Sequence, residues 1–273
     1  MKQMILGSAL GRVAGATRDV IEMLRTAYLN PERLGTVAND QLATSLITRL
    51  GRPNTRFVDV GAHIGSIIAA VAQHDRSIQI VALEAMPDKV AALRKKFPTC
   101  EIHECAAGAA EGEAKFFVNT KLSGYSSLGQ PADAAASDIR EIRVPVKTLD
   151  GLLAPTGVDA MKIDVEGAEL GVLRGAKKLV TQSRPTIMFE SGPQESDGLG
   201  YTKEELWQWF HEHDYGVYVP NRVAHTGQPL TRDGFGESHL YPRRTTNYFA
   251  IAAERRAEIR DRARRLLDLS NGR

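Results

Sequence analysis

Residues 56–84, RFVDVGAHIGSIIAAVAQHDRSIQIVALE, restrict the fold of this chain more than any other stretch. RFVDV is a short valine-rich apolar run, the pattern of a buried strand. Gly61 and Gly65 then bracket a turn, IIAAVAQH continues at helical spacing, and a second apolar run, IQIVALE, ends on Glu84. Strand, glycine turn, helix and acid-tipped strand together have the size of one nucleotide-binding βαβ unit. Such a unit places a tight turn and helix N–H groups at the C-terminal edge of a parallel sheet. A carboxylate at the end of its second strand can accept from two ribose hydroxyls.

The glycine spacing selects among cofactors. A dinucleotide fingerprint needs G-x-G-x-x-G so that backbone N–H groups can approach a pyrophosphate. Here Asp59 precedes a G-x-x-x-G made by Gly61 and Gly65, with Ala62 and His63 inside the turn. A carboxylate at Asp59 repels a pyrophosphate and suits the ammonium group of a methionine moiety, which favours S-adenosylmethionine over NAD. A glycine turn after a buried strand also occurs in α/β proteins that bind nothing there, so the reading needs support from elsewhere in the chain.

The rest of the sequence repeats the alternation. Met86-Pro87 opens a helix, DKVAALRKKF, that Pro98 stops. CEIHECAAG predicts a third strand whose end carries Cys105, Ala106 and Ala107, small enough to leave room for adenine beside Ala85. EGEAKFFVN and EIRVPV read as further strands. DAMKIDVEGAELGVLRGAKKLV reads as strand, acidic turn and helix, and PTIMFES as a buried strand ending on Glu190. Thr202 and Glu205 form a capping pattern for a helix that turns Leu206, Trp207 and Phe210 to the core. GVYVP and NYFAIAA close the set. This order predicts a three-layer α/β sandwich on a mostly parallel, seven-stranded sheet with an antiparallel edge strand.

Residues 1–50 carry only helical patterns, with Asp40 placed to cap the second helix. We therefore expect a helical extension over 1–50, the main domain over 51–255 and a charged, solvated helix over 256–273. Two long polar loops are candidate substrate regions. The first carries Tyr125, Ser126 and Ser127; the second carries His225, Arg232, His239, Arg243 and Arg244.

Open α/β sheets bind ligands at the C-terminal strand ends, where the strand order reverses. Predicted strands place Asp59, Glu84, Asp164 and Glu190 there. Clustered carboxylates repel one another unless cations or hydroxyls answer them. A sulfonium cofactor with an ammonium group answers two, and Mg²⁺ held by Asp164 and Glu190 would answer the others. Asp164 and Glu166 share one face of their strand end, and Gly167 permits a tight entry into the next helix. Glu169 falls in that helix's first turn, a structural position. Methyl transfer from a sulfonium is a one-step displacement that depends on in-line positioning, and an alcohol acceptor must also lose a proton. Asp164, Glu166 and His63 are the candidate bases.

With FVDVGAHIG, VALEAMPDKVAALRKK, CAAGAAEGEAKFF, VPVKTLDGLL, MKIDVEGAE and RPTIMFE in this order, residues 57–191 resemble the FkbM family of class I S-adenosylmethionine-dependent methyltransferases. The resemblance implies a Rossmann-like fold and O-methylation of hydroxyls on sugars, glycans or glycosylated natural products. By position it implies that Asp59, Gly61 and Gly65 hold the methionine end of the cofactor and Glu84 the ribose. Cys105 and Ala106 would flank adenine, and Asp164 would face the transfer site. His63 stands where the broader class has a middle glycine.

Other classes fit less well. A net charge of +2 offers no general field for nucleic acid, and no N/D-P-P-aromatic motif follows the acidic strand. A reductase lacks its third glycine and a Tyr-x-x-x-Lys pair. Cys100 and Cys105 make neither a disulfide framework nor a zinc pattern, so we expect a reducing compartment and a cytoplasmic protein. No apolar run is long enough to span a bilayer. The expected partner is a small-molecule or carbohydrate acceptor, and a homo-oligomer is compatible with the helical extension. The alternative is a non-catalytic scaffold that keeps the fold.

Overall fold

The computed structural model describes residues 9–119, 121, 128, 138–192 and 201–269, with side chains from residue 17 onward. The expected loop residues Tyr125, Ser126 and Ser127 lie outside the described residues. Two helices come first, α1 (Ala9–Leu29) and α2 (Leu34–Leu50), joined through a 3-10 turn at Pro31–Arg33. Then β1 (Arg56–Val60), α3 (Ser66–His74) and β2 (Gln79–Glu84) follow as the pattern predicts. Pro87 opens α4 (Pro87–Lys96), where its missing N–H has no helical role.

The third predicted strand divides. β3 (Glu101–Glu104) stops before Cys105, and the chain continues into β4 (Ala106–Ala107) of a small second sheet with β5 (Gly112–Asn119) and β6 (Ile139–Lys147). α5 (Leu149–Leu152), capped by the Thr148 side chain, leads to β7 (Val158–Ile163), α6 (Glu169–Arg174), α7 (Lys177–Ser183) and β8 (Thr186–Glu190). α8 (Lys203–Glu212) starts on the predicted capping box: Thr202 accepts from the Glu205 amide, and Glu205 accepts from the Thr202 amide. β9 (Tyr215–Tyr218), α9 (Arg232–Ser238), β10 (Asn247–Ala252) and α10 (Arg256–Leu266) complete the described elements.

The main sheet has seven strands in the order β3-β2-β1-β7-β8-β10-β9. The expected antiparallel member is β10, but it sits one strand in from the rim, between β8 and β9. The long connection after β9 returns the chain to β8, and β9 pairs on the outer side. The chain lays β2 and β3 on one side of β1 and then crosses to β7 on the other, so the order reverses between β1 and β7. In such sheets the crevice opens at that reversal. The register sets Asp59 beside Lys162 and Val60 beside Ile163.

Helices cover both faces. On one, α2, α3, α4 and α10 pack Leu46, Ile47, Ile68, Val90 and Ile259 against Phe57, Ala82 and Phe249. On the other, α6, α7 and α8 pack Leu173, Leu179, Leu206 and Phe210 against Val58, Met161 and Phe189. Leu206 and Phe210 are buried as expected, while Trp207 is partly buried and donates its indole N–H to Leu230 O.

Two expectations at the chain ends are corrected. Asp40 caps nothing: α2 begins at Leu34, and the Asp40 carboxylate accepts from the Thr245 hydroxyl at 2.6 Å and the Thr246 amide at 2.9 Å. It fixes the approach to β10 rather than a helix start. The basic side chains of the last helical segment do not all face solvent. Arg255 and Arg262 reach the buried Asp159 carboxylate, which also takes Arg52, so α10 is fastened to the start of β7.

Candidate active site

A crevice opens at the C-terminal ends of β1, β2, β7 and β8, with Cys105, Ala106, Ala107 and Phe116 along one side. It holds about 880 Å³ of atom-free space including its open mouth. Of the residues singled out from the sequence, Gly61, His63, Glu84, Ala85, Cys105, Ala106, Asp164, Glu166 and Glu190 line it.

The glycine turn is closed on itself. The Gly61 and Ala62 amides both donate to Leu83 O at 3.0 Å, and the Gly65 amide donates to Ala62 O. These N–H groups are therefore engaged within the protein, and Ala62 and Gly65 do not line the crevice. Gly65 has φ +78°, and a Cβ there would lie 2.5 Å from the Phe97 ring, so its bareness lets α4 pack closely on α3. Gly61 faces the crevice at φ +82°; a Cβ on it would lie 1.9 Å from Asp164 O. Here the bare backbone lets the ends of β1 and β7 meet beneath a ligand.

Glu84 is buried at the end of β2, where it accepts from the His63 amide at 2.8 Å and the Met86 amide at 2.9 Å. Burial pushes its pKa up, against the pull of those two N–H groups. A carboxylate has about four acceptor sites, so two lone pairs stay available toward the crevice. The same bond holds His63 at φ +50°, a conformation uncommon outside glycine. Burial lowers the His63 pKa.

Across the crevice stands a charge network that centres on a residue the sequence reading missed. The Lys162 ammonium, buried on β7, donates to Gly61 O at 2.7 Å and contacts Asp164 at 3.0 Å and Asp59 at 3.4 Å. Asp59 is fully buried, away from the crevice lining, and Lys162 is its neighbour across the β1–β7 ladder. Burial raises the Asp59 pKa more than Lys162 lowers it. For Lys162 itself, burial pulls the pKa down but the two carboxylates outweigh it. The one signal in sequence was a lone lysine inside the apolar run AMKI. Lys89 on α4 also lines the crevice without having been foreseen.

Asp164, Glu166 and Glu190 bring carboxyl oxygens within 4.8 Å of one another. Burial and the neighbouring Asp164 push Glu190 well up, so it holds a proton and donates to Asp164. Burial raises Asp164 too, but Lys162 and the Glu190 bond outweigh it and keep it ionised. Glu166, at φ +50°, is pushed up to about 7 by burial and then by Asp164 and Glu169. Glu169 takes the structural position expected of it: buried in the first turn of α6, it accepts from the Gly167 amide and the Tyr201 hydroxyl.

The second candidate substrate loop contributes no residue to this crevice. His239 is buried against Phe235 and Tyr248, bonded to Ser191 Oγ at 2.9 Å, and burial lowers its pKa to about 4. Arg243 lines a separate polar groove between α1 and α2.

The sheet is Rossmann-like, with an acid at the end of β2 and an acidic turn after β7. Residues 59–217 match the Methyltransferase FkbM domain, and the chain belongs to that family. No curated protein matches the sequence significantly. Solved structures with a similar course of chain include precorrin-6y C5,15-methyltransferase from Geobacter metallireducens GS-15, at 16% identity over 65% of this chain and 72% of that one, TM-score 0.38. Another is 1,6-didemethyltoxoflavin-N1-methyltransferase from Burkholderia thailandensis, at 13% identity over 86% and 88%, TM-score 0.37. A third is the O-methyltransferase NcsB1 from neocarzinostatin biosynthesis, at 10% identity over 88% and 58%, TM-score 0.37. Likenesses this distant say nothing of the acceptor. No helix among the described residues is long and apolar enough to cross a membrane.

Proposed function

We propose that the crevice binds S-adenosylmethionine and that the chain methylates a hydroxyl of a sugar, glycan or glycosylated small molecule. The observation that carries this is the opposition, across one crevice, of the buried Glu84 and the carboxyl trio on β7 and β8. When bound, the cofactor supplies an electrophilic methyl group on a sulfonium. Glu84 has the lone pairs to take ribose hydroxyls, and Cys105, Ala106 and Ala107 leave a slot for a flat ring. Three adjacent carboxyl groups suit an acceptor rich in hydroxyl donors.

Glu166 is the best-tuned base. With its pKa near 7 it carries a useful unprotonated fraction at neutral pH and can still take the acceptor proton. Turnover should therefore rise as pH increases through about 7, since only the carboxylate accepts. Glu166→Gln should remove that limb and lower kcat ~100-fold. A rising limb unchanged in Glu166→Gln would assign the base elsewhere, to Asp164 or His63.

Calorimetric titration with S-adenosylmethionine and S-adenosylhomocysteine tests the cofactor. We expect micromolar binding that Glu84→Ala weakens at least tenfold (about 1.4 kcal/mol), with thermal unfolding checked because the variant also frees two amides. A folded wild type that binds neither ligand would favour the scaffold reading. Mg²⁺ on Asp164 and Glu190, with Glu166 as a third ligand, is a second reading that their proximity supports. The Lys162 ammonium already answers Asp164 at 3.0 Å, which weighs against a divalent cation. Titration with and without EDTA separates the two.

A further inference from the structure

Among the described residues, the exposed large apolar side chains gather on α1 and the loop beside it: Val20, Ile21, Leu24, Tyr28 and Leu29, with Leu240 and Tyr241. At helical spacing Val20, Ile21, Leu24 and Tyr28 share one face. The opposite face meets α2: Asp19, Met23 and Thr26 are partly buried, and Gln41 donates to Asp19 O at 3.0 Å. The apolar stripe thus points away from its own chain, with its four side chains 57–87% exposed.

Three features indicate what covers it. In the sequence the stripe runs Leu10, Val13, Thr17, Val20, Leu24, Ala27, alternating steps of three and four. That is the seam of a helix meeting another helix. The second feature is area. The four described side chains present on the order of 500 Å², so a two-fold pairing buries on the order of 1,000 Å² from them alone, near the lower bound for a stable biological interface. The third is charge. Outside the stripe α1 carries both signs, Arg18, Asp19, Glu22 and Arg25, whereas a helix made for an anionic lipid surface has a polar face rich in cations. An antiparallel pairing about the middle of α1 lays the stripe on itself, as a two-fold interface requires, and leaves Arg18 paired with Asp19 of its own chain at 2.7 Å.

We propose that α1 is a dimerisation helix whose exposed apolar stripe packs on the same stripe of a second copy of this chain. The test is the mass of the full-length protein by light scattering and sedimentation velocity across nanomolar to micromolar concentration. The wild type should sediment as two chains. Leu24→Glu with Tyr28→Glu should raise the dimer dissociation constant at least 100-fold while circular dichroism and melting temperature stay unchanged, since neither residue belongs to the core. Should the added charges disturb the fold, Leu24→Gln should move the constant the same way by a smaller factor. A wild type that is monomeric throughout overturns the proposal, as does a dimer that the variants leave intact. A monomer that floats with phosphatidylcholine–phosphatidylglycerol vesicles would assign the stripe to lipid and overturn it equally.

Discussion

Lys162→Met is expected to cost ~3–5 kcal/mol of stability at neutral pH, the scale for removing one partner of a buried ion pair. The methionine chain fills nearly the same space, so the loss is electrostatic. Asp59 is fully buried, and its carboxylate oxygens have no hydrogen bond among the described residues; its answer is the ammonium at 3.4 Å. Without Lys162 the folded state must keep a bare buried carboxylate or protonate it. The sign follows from burial, which raises the Asp59 pKa above its unfolded value. A raised carboxylate binds protons in the folded state that the unfolded state has released, so folding weakens as pH rises through that interval. The deficit of Lys162→Met should therefore be largest at neutral pH and shrink toward the acid range. Chemical denaturation at several pH values measures it, and Asp59→Asn in the same background should restore most of the loss. Activity should fall even in the rescued double variant, because Asp164 and Gly61 O also lose their cation. Full activity in the double variant would confine Lys162 to a structural role.

Lys162 also shows where sequence reading stops. The fold was legible because its signals are local: valine-rich runs for strands, Pro87 and Thr202 for helix starts, glycine for the turn. The residues at strand ends were legible for the same reason, since Glu84, Asp164 and Glu190 each close an apolar run. What was hidden depends on register. Nothing near Asp59 in sequence says that Lys162 lies beside it, a hundred residues on in a neighbouring strand. Asp59 was therefore expected at the cofactor, and the structure places it beneath the turn, paired. Asp40 failed in the same way. Its sequence neighbours suggested a cap, whereas its partners, Thr245 and Thr246, come from the other end of the chain. The split of the third strand at Cys105 likewise reflects pairing with β6, which no local pattern announces.

Gly61→Ala should abolish cofactor binding and lower the melting temperature, although it adds a single methyl. That methyl would lie 1.9 Å from Asp164 O, and the obstacle is backbone, which cannot rotate away. The Asp164 amide is itself tied to Val60 O at 3.0 Å, so relief requires the ends of β1 and β7 to part. Parting them moves Gly61 O off Lys162 and shifts Asp164, and both sides of the crevice lose their geometry together. The residue's φ of +82° adds a further cost of about 1 kcal/mol for any side chain. Gly35→Ala is the control: a Cβ there meets nothing within 4 Å, and in the first turn of α2 alanine should stabilise by up to ~1 kcal/mol. The melting temperatures of the two variants should move in opposite directions, and S-adenosylhomocysteine should bind Gly35→Ala as it binds the wild type but not Gly61→Ala. If Gly61→Ala binds the ligand within threefold of wild type, the close approach of β1 and β7 beneath the crevice is not what shapes the site.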